Sequence, residues 1–264
     1  MRGGLTAIAL LALVPVGGCG PRFVPPAVDS AGLDMARQTI IETVPAVGMA
    51  GAPEVILPNV SQRLMQAAQP LCAAYRSRDC TLQVTLDPFA TARAAMADQG
   101  RVTITLGMLR LLGSEDEVAA VLGHELGHHL ANHLGRRRAR GLAAGTMAGT
   151  LLGAVVPFGG LAGWVLGEGA ALAGSHGAQL AFSKEEEREA DYLAAYLVAR
   201  AGYDLDRAGL VWVRLTRGGP QETAGLLDRH PAGPERLAAW RQATAEIRLS
   251  PDGMPHRSGQ RAPF

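Results

Sequence analysis

Residues Ser114 to Leu134 read S-E-D-E-V-A-A-V-L-G-H-E-L-G-H-H-L-A-N-H-L, and their spacing is that of one helix. Ser114 followed by Glu117 is a capping-box pattern, which predicts a helix start at Ser114. Inside lies His124-Glu125-Leu126-Gly127-His128, an H-E-x-x-H motif. Positions four apart share nearly one face of a helix, so both imidazoles reach a single ion. Glu125 projects beside that ion rather than onto it, where a general base stands to take a proton from the attacking water. Val118, Leu122, Leu126 and Leu130 form an apolar stripe. Ala120, Gly123, Gly127 and Ala131 form a stripe of small residues along which another element can pack closely. A helix apolar nearly all round is an interior helix, and its few polar groups then need a reason. The motif also arises by chance, with ordinary histidines, but the cap and the buried setting favour a metal. His129 and His133 point about 100° and 140° away from His128, too far round to share its ion. They are expected to be packing groups or supports for the ligands.

A second capping box, Ser183-Lys184-Glu185-Glu186, predicts a helix running to about Arg200. On its wheel Glu187 and Asp191 share the apolar face of Ala190, Ala194, Leu197 and Val198, whereas Glu185 and Glu189 point to the other side. Acidic residues suit a helix start, which accounts for Glu185 and Glu186. A carboxylate within a buried stripe needs a partner or a metal, which makes Glu187 the natural third ligand. Two His and one Glu with an open fourth position is the donor set of a catalytic zinc. Asp191, one turn on, is expected to hold the ring N–H of a ligating histidine.

The rest of the chain bounds this reading. With 264 residues, 48% of them hydrophobic, and a formal net charge of +1, the composition fits one globular domain (31–250) and no nucleic-acid partner. Lys184 is the only lysine among many arginines. Residues 1–18 read as a secretory signal: Arg2, an apolar run from Leu5 to Val16, then small residues. The run ends Val16-Gly17-Gly18-Cys19, which resembles a bacterial lipobox with Cys19 as the acylated residue. A plain signal peptide with an incidental cysteine is the alternative. Gly20 in place of Asp points, by analogy with known lipoproteins, to the outer membrane, with the domain on the periplasmic side of the cell envelope. Residues 19–30 would be a tether stiffened by prolines, and 251–264 a flexible tail.

Cys72 and Cys80 suit an oxidising compartment and are expected to bridge an amphipathic stretch, Val60 to Arg76, to a strand-like run, Thr81 to Leu86. Arg101 to Leu106 alternates as a strand does, and is well placed to be an edge along which an extended peptide can add, an ordinary strand being the alternative. The arginines from Arg136 to Arg140 read as a solvated helix end, with a lipid-headgroup contact as the alternative. Gly141 to Leu180 is rich in Gly, Ala and Leu, with Glu168 its only formal charge beside His176. It reads as an apolar hairpin, mobile or skimming a membrane rather than a transmembrane pair, or as a lid over the metal, since it connects the two helices that carry the ligands.

H-E-L-G-H-x-x-x-x-H with E-R-E-A-D downstream resembles the HtpX and CAAX-prenyl-protease type of zinc metallopeptidase, most of all its periplasmic lipoprotein members. The resemblance runs from about Asp87 to Arg236. It implies an α+β, mostly helical, gluzincin-like zincin fold with a small sheet, and one Zn²⁺ per chain. It implies His124, His128 and Glu187 as metal ligands, Glu125 as catalytic base and Asp191 as support. Asp228-Arg229-His230-Pro231, with Arg236, resembles the family's H-P…R segment, which implies that His230 helps to stabilise the oxyanion. Tyr192 and Tyr196 are rivals for that part. Ala90-Thr91-Ala92-Arg93 departs from the family's usual Asn-Ala-Phe/Trp ahead of the edge strand. The expected function is a zinc endopeptidase acting on unfolded or misassembled envelope proteins. The alternative is a chaperone-like or scaffolding lipoprotein whose zinc is architectural.

Overall fold

The computed structural model describes residues 23–43, 48, 51–75, 80–97, 100–141, 182–218, 230 and 233–258. Within them the chain forms α1 (Ser30–Glu42), α2 (Pro53–Tyr75), β1 (Gln83–Asp87), β2 (Ala94–Met96), β3 (Arg101–Thr105), α3 (Leu106–Leu111), α4 (Glu115–Leu130), α5 (Lys184–Arg200), α6 (Leu205–Arg217) and α7 (Pro234–Leu249). The fold is therefore α+β and mostly helical, with a small three-stranded sheet. The expected signal segment, Cys19, residues 142–180 of the expected hairpin and 259–264 of the expected tail lie outside the described residues.

The helix α4 is the centre of the core. Val118, Leu122, Leu126 and Leu130 are all buried, and α4 packs on α5, α6 and α2 with β2 laid across it. Its N-terminus is capped by Ser114, whose side chain accepts from the Glu117 N–H, but only this half of the expected capping box forms. The Glu117 carboxylate turns instead to the Gly113 N–H and to Arg214 of α6, a buried ion pair that ties two helices together. At Ser183 both halves of the box are present.

The sheet order is β1-β3-β2, with β1 parallel and β2 antiparallel to β3. This corrects the expectation for Arg101–Thr105. That strand is flanked on both sides, so β2 is the edge beside α4. Thr105 pairs back to Arg93 and Ala97 to Arg101, and alternation in an antiparallel ladder leaves the backbone of Ala94 and Met96 facing away from β3.

Three further expectations are revised by local packing. The helix does not run to Leu134. It ends at Leu130, Asn132 takes a left-handed φ of 57° that Asn tolerates, and helical turns resume over 133–141. The arginines that follow are not a solvated end: Arg136 pairs with Glu189, Arg140 pairs with Glu186, and Arg137 lies over the Phe182 ring. The segments read as tether and tail hold each other. Phe23 is buried and bridges to Arg257, the Val24 N–H donates to the His256 carbonyl, and Asp29 caps α1. Arg200 donates to the carbonyls of Asp252 and Gly253. Cys72, on α2, and Cys80, ahead of β1, are joined with their Cα atoms 6.3 Å apart.

The stripe of small residues on α4 is where α5 comes closest. A Cβ at Gly127 would stand 2.6 Å from the Ala190 carbonyl oxygen and 3.2 Å from its Cα, whereas one at Gly123 would meet Ala194 at an ordinary 3.5 Å. Alanine gains up to about 1 kcal/mol over glycine in a helix interior, but a backbone overlap costs roughly 1–3 kcal/mol. Gly123→Ala should therefore unfold at or above the wild-type temperature, and Gly127→Ala below it. Thermal unfolding of both variants in chelator checks this, and a Gly127→Ala protein as stable as wild type would contradict the close approach.

Candidate metal centre

Successive turns of α4 bring the Nε2 atoms of His124 and His128 to 3.0 Å from each other. From α5, Glu187 approaches both: Oε2 is 3.4 Å from His124 Nε2, and Oε1 is 3.4 Å from His128 Nε2. His230 completes the cluster, its Nδ1 3.2 Å from His124 Nε2 and 2.9 Å from Glu187 Oε1. One ligand atom from each of the four buried residues lies within 4.8 Å of all the others. Donors held tetrahedrally on arms of about 2.0–2.1 Å stand about 3.3–3.4 Å apart, close to the spacings of the His124, His128 and Glu187 atoms. Glu187 Oε2 is buried without a hydrogen-bond partner, although Arg236 Nη1 is 3.2 Å away. Imidazole nitrogens converging on an unsatisfied carboxylate oxygen fit a zinc ion.

Partners behind the donors hold their rings. His124 Nδ1 lies 2.8 Å from Asp191 Oδ1, and Arg236 of α7 grips Asp191 with Nε at 2.8 Å and Nη2 at 2.6 Å. The Arg236 guanidinium in turn covers the Trp212 ring of α6 at 3.9 Å. Glu125 stands outside the donor cluster. Its Oε2 accepts from the Met96 N–H of β2 at 2.8 Å, and its Oε1 is 3.7 Å from His230 Nε2. Tyr192 and Tyr196 are not at the centre, since both hydroxyls donate to Glu246 Oε1, at 2.5 and 2.6 Å.

The helical wheel set Glu189 away from the buried side, and the structure corrects this. Glu189 is fully buried and accepts from the Phe23 N–H, from His133 and from Arg136. The face it occupies is covered by the 133–141 turns and by Phe23, neither of which a wheel of α5 alone reveals. Phe182 also escaped notice. It stacks on His128 with centroids 4.0 Å apart, and its place just before a capped helix was the only signal.

Burial is the largest influence on Glu187 and pushes its pKa up, yet the charges of His230 and Arg236 carry it well below the usual carboxylate range. Asp191 is lowered against burial in the same way, chiefly by Arg236. Burial and then His124 hold His128 well below the ordinary histidine value. His124 is raised to about 9, because Asp191 and Glu187 outweigh burial and the Arg236 charge.

The sequence profile of Peptidase family M48 matches residues 59–244. The chain belongs to that family. It is also 32% identical over 144 residues to the mitochondrial metalloendopeptidase OMA1 of Arabidopsis thaliana, an alignment covering 54% of this chain and 28% of the relative. The matched region of the family profile contains α4, α5, α6 and His230, so the donor cluster lies on family sequence. Zinc is the cofactor of this family, and His124, His128, Glu187 and His230 form the compact group able to bind one such ion.

The raised pKa of His124 carries a sign that calorimetry can read. A ring protonated up to about pH 9 in the metal-free protein has to lose its proton before it can ligate. Zinc binding at pH 7 should therefore release about one proton per ion, read from binding enthalpies in buffers of different ionisation enthalpy. Because the folded pKa lies above the unfolded value of 6.5, His124 stabilises the metal-free protein fully below about pH 6.5. That stabilisation is lost as pH rises through about 9. The shifts of His128, Glu187 and Asp191 are downward and fall below this window. A metal-free protein whose stability is flat or rising from pH 6.5 to 9, with no proton released on zinc binding, would contradict the assignment.

Proposed function

We propose that the chain is a zinc-dependent endopeptidase that acts on unfolded or misassembled proteins of the bacterial cell envelope, held by lipid on Cys19 at the periplasmic side of the outer membrane. The observation that carries the enzymatic reading is Glu125, a buried carboxylate beside the donor cluster but not in it, oriented by the Met96 N–H. An architectural site has no need of such a group.

In this reading His124, His128 and Glu187 hold the ion. When bound, zinc polarises the scissile carbonyl and makes the attacking water acidic enough to deprotonate near neutral pH. Glu125 takes that proton on Oε1, its other oxygen being fixed by Met96, and returns it to the leaving amine. Asp191, locked by Arg236, keeps the His124 ring oriented. His230, whose Nε2 is 3.7 Å from Glu125, is assigned to the substrate side, where an N–H meets the oxyanion. The outward backbone groups of Ala94 and the Met96 carbonyl offer an edge for an extended peptide, the Met96 N–H being taken by Glu125. A chain laid along it passes Glu125 rather than ending there, which supports internal cleavage. Unfolded segments are the substrates able to adopt that extended form.

His230 favours a second reading. Four protein donors make a closed set, as in structural zinc sites, and a chaperone-like or scaffolding lipoprotein would keep the ion for architecture. The chain spans 28% of the length of the metalloendopeptidase it matches, so substrates and partners rest on this site alone. Envelope location rests on the residues before Phe23: the apolar run ending in Val16-Gly17-Gly18-Cys19. Among the described residues no helix is long and apolar enough to cross a membrane.

Glu125→Gln should retain bound zinc and the wild-type unfolding temperature while losing casein hydrolysis by a factor of about 10²–10⁴. A zinc-loaded variant that cleaves at the wild-type rate would remove Glu125 from the mechanism. A wild-type protein that prevents aggregation of unfolded clients without cutting them would favour the second reading. Cys19→Ala should move the protein from the membrane fraction to the soluble fraction or leave it unprocessed. Unchanged fractionation, with no lipid on the mature N-terminus, would overturn the anchor.

A further inference from the structure

The two histidines on α4 are supported differently. His124 passes its second ring nitrogen directly to a carboxylate, Asp191. Behind His128 stands another histidine: His133 Nδ1 is 2.7 Å from His128 Nδ1, and His133 Nε2 is 3.0 Å from Glu189 Oε2. The break at Asn132 makes this possible. On one continuous helix His133 would point away from His128, but the left-handed residue between them turns it back underneath. All three side chains are buried.

The protons in this chain can run only one way. His128 Nε2 faces the donor cluster, so its Nδ1 carries the hydrogen. His133 Nδ1 must then accept, its hydrogen sits on Nε2, and Glu189 Oε2 receives it. Glu189 is fixed from two other directions: Arg136 Nη2 donates to Oε2 at 2.7 Å, and the backbone N–H of Phe23 donates to Oε1 at 2.9 Å across 166 residues of sequence. Phe23 is itself held, as its neighbour Val24 donates to the His256 carbonyl at 2.9 Å.

We propose that His133 and Glu189 are positioning residues that orient His128 for zinc, and that the docked chain at Phe23 completes their relay. The proposal rests on His128 being a zinc ligand, as assigned above. Partners of this kind fix the tautomer and the ring angle of a ligating histidine, and their loss typically weakens metal binding 10–100-fold. In this protein the relay makes zinc affinity depend on the N-terminal segment: a chain cut or displaced at Phe23 removes one of the donors holding Glu189.

The test is zinc affinity of the mature full-length chain, measured by competition with a chromophoric chelator, beside the unfolding temperature without metal and the visible spectrum of the cobalt(II) form. His133→Leu replaces the imidazole with an apolar side chain of similar size in the buried site. It should bind zinc 10–100-fold more weakly and shift the cobalt bands, with its metal-free unfolding temperature near wild type. Glu189→Gln retains an acceptor for His133 and should lose less. Phe23→Pro, which lacks the N–H, should bind zinc more weakly than Phe23→Leu, which keeps it. If His133→Leu does not fold, the Glu189→Gln and Phe23 comparisons decide in its place. Wild-type zinc affinity and cobalt spectra in His133→Leu and Glu189→Gln, with binding abolished in His128→Ala, would overturn the relay. Equal affinities in the two Phe23 variants would overturn its N-terminal limb. Binding undiminished in His128→Ala would instead refute the ligand assignment on which the proposal stands.

Discussion

Glu187 and Asp191 sit on the face of α5 that is pressed against α4, and the rest of the centre is arranged around the cost of burying those two charges. An isolated carboxylate taken out of water costs several kcal/mol even after relaxation. Each is therefore met by partners from a different element: the imidazoles of α4, the Arg236 guanidinium of α7, and His230. Arg236 is itself buried, and its flat face is covered by Trp212 of α6. Removing any one partner would leave a buried charge uncompensated, so the helices around α4 and α5 are bound to one electrostatic solution.

That solution requires the two helices to approach closely, and the small residues on α4 permit it. Gly127 lies against the Ala190 carbonyl, one residue before Asp191 on α5 and one residue before His128 on α4. A larger residue there would separate the helices at the level where His128 and Glu187 must meet. Packing and chemistry are thus set by the same few positions. β2 adds the last constraint, because its Met96 N–H fixes the carboxylate of Glu125, the residue directly after His124.

The parts legible in the sequence were those encoded locally. Helical spacing placed His124, His128 and Glu125, and an acidic residue on an apolar face marked Glu187 and Asp191. The caps at Ser114 and Ser183 marked where both helices begin. What sequence reasoning missed depends on contacts between distant segments. Glu189 appeared solvent-facing because its partners, Phe23 and His133, reach it from other elements. His133 was left open between packing and support for a ligand, because the left-handed Asn132 that turns it back under His128 is invisible to an ideal wheel. Arg101–Thr105 was taken for an edge because β2 is only three residues long and carries too little alternation to announce itself. Glu117 matched a capping box by position, yet a buried arginine on α6 claimed its carboxylate.

The most direct measurement is a back-titration of the chelator-stripped protein with zinc while casein hydrolysis is followed. The account predicts no cleavage in the stripped protein, a linear return of activity up to one zinc per chain, and a plateau beyond it. Cleavage that persists without metal, or one tightly bound zinc per chain with no return of cleavage, would contradict it.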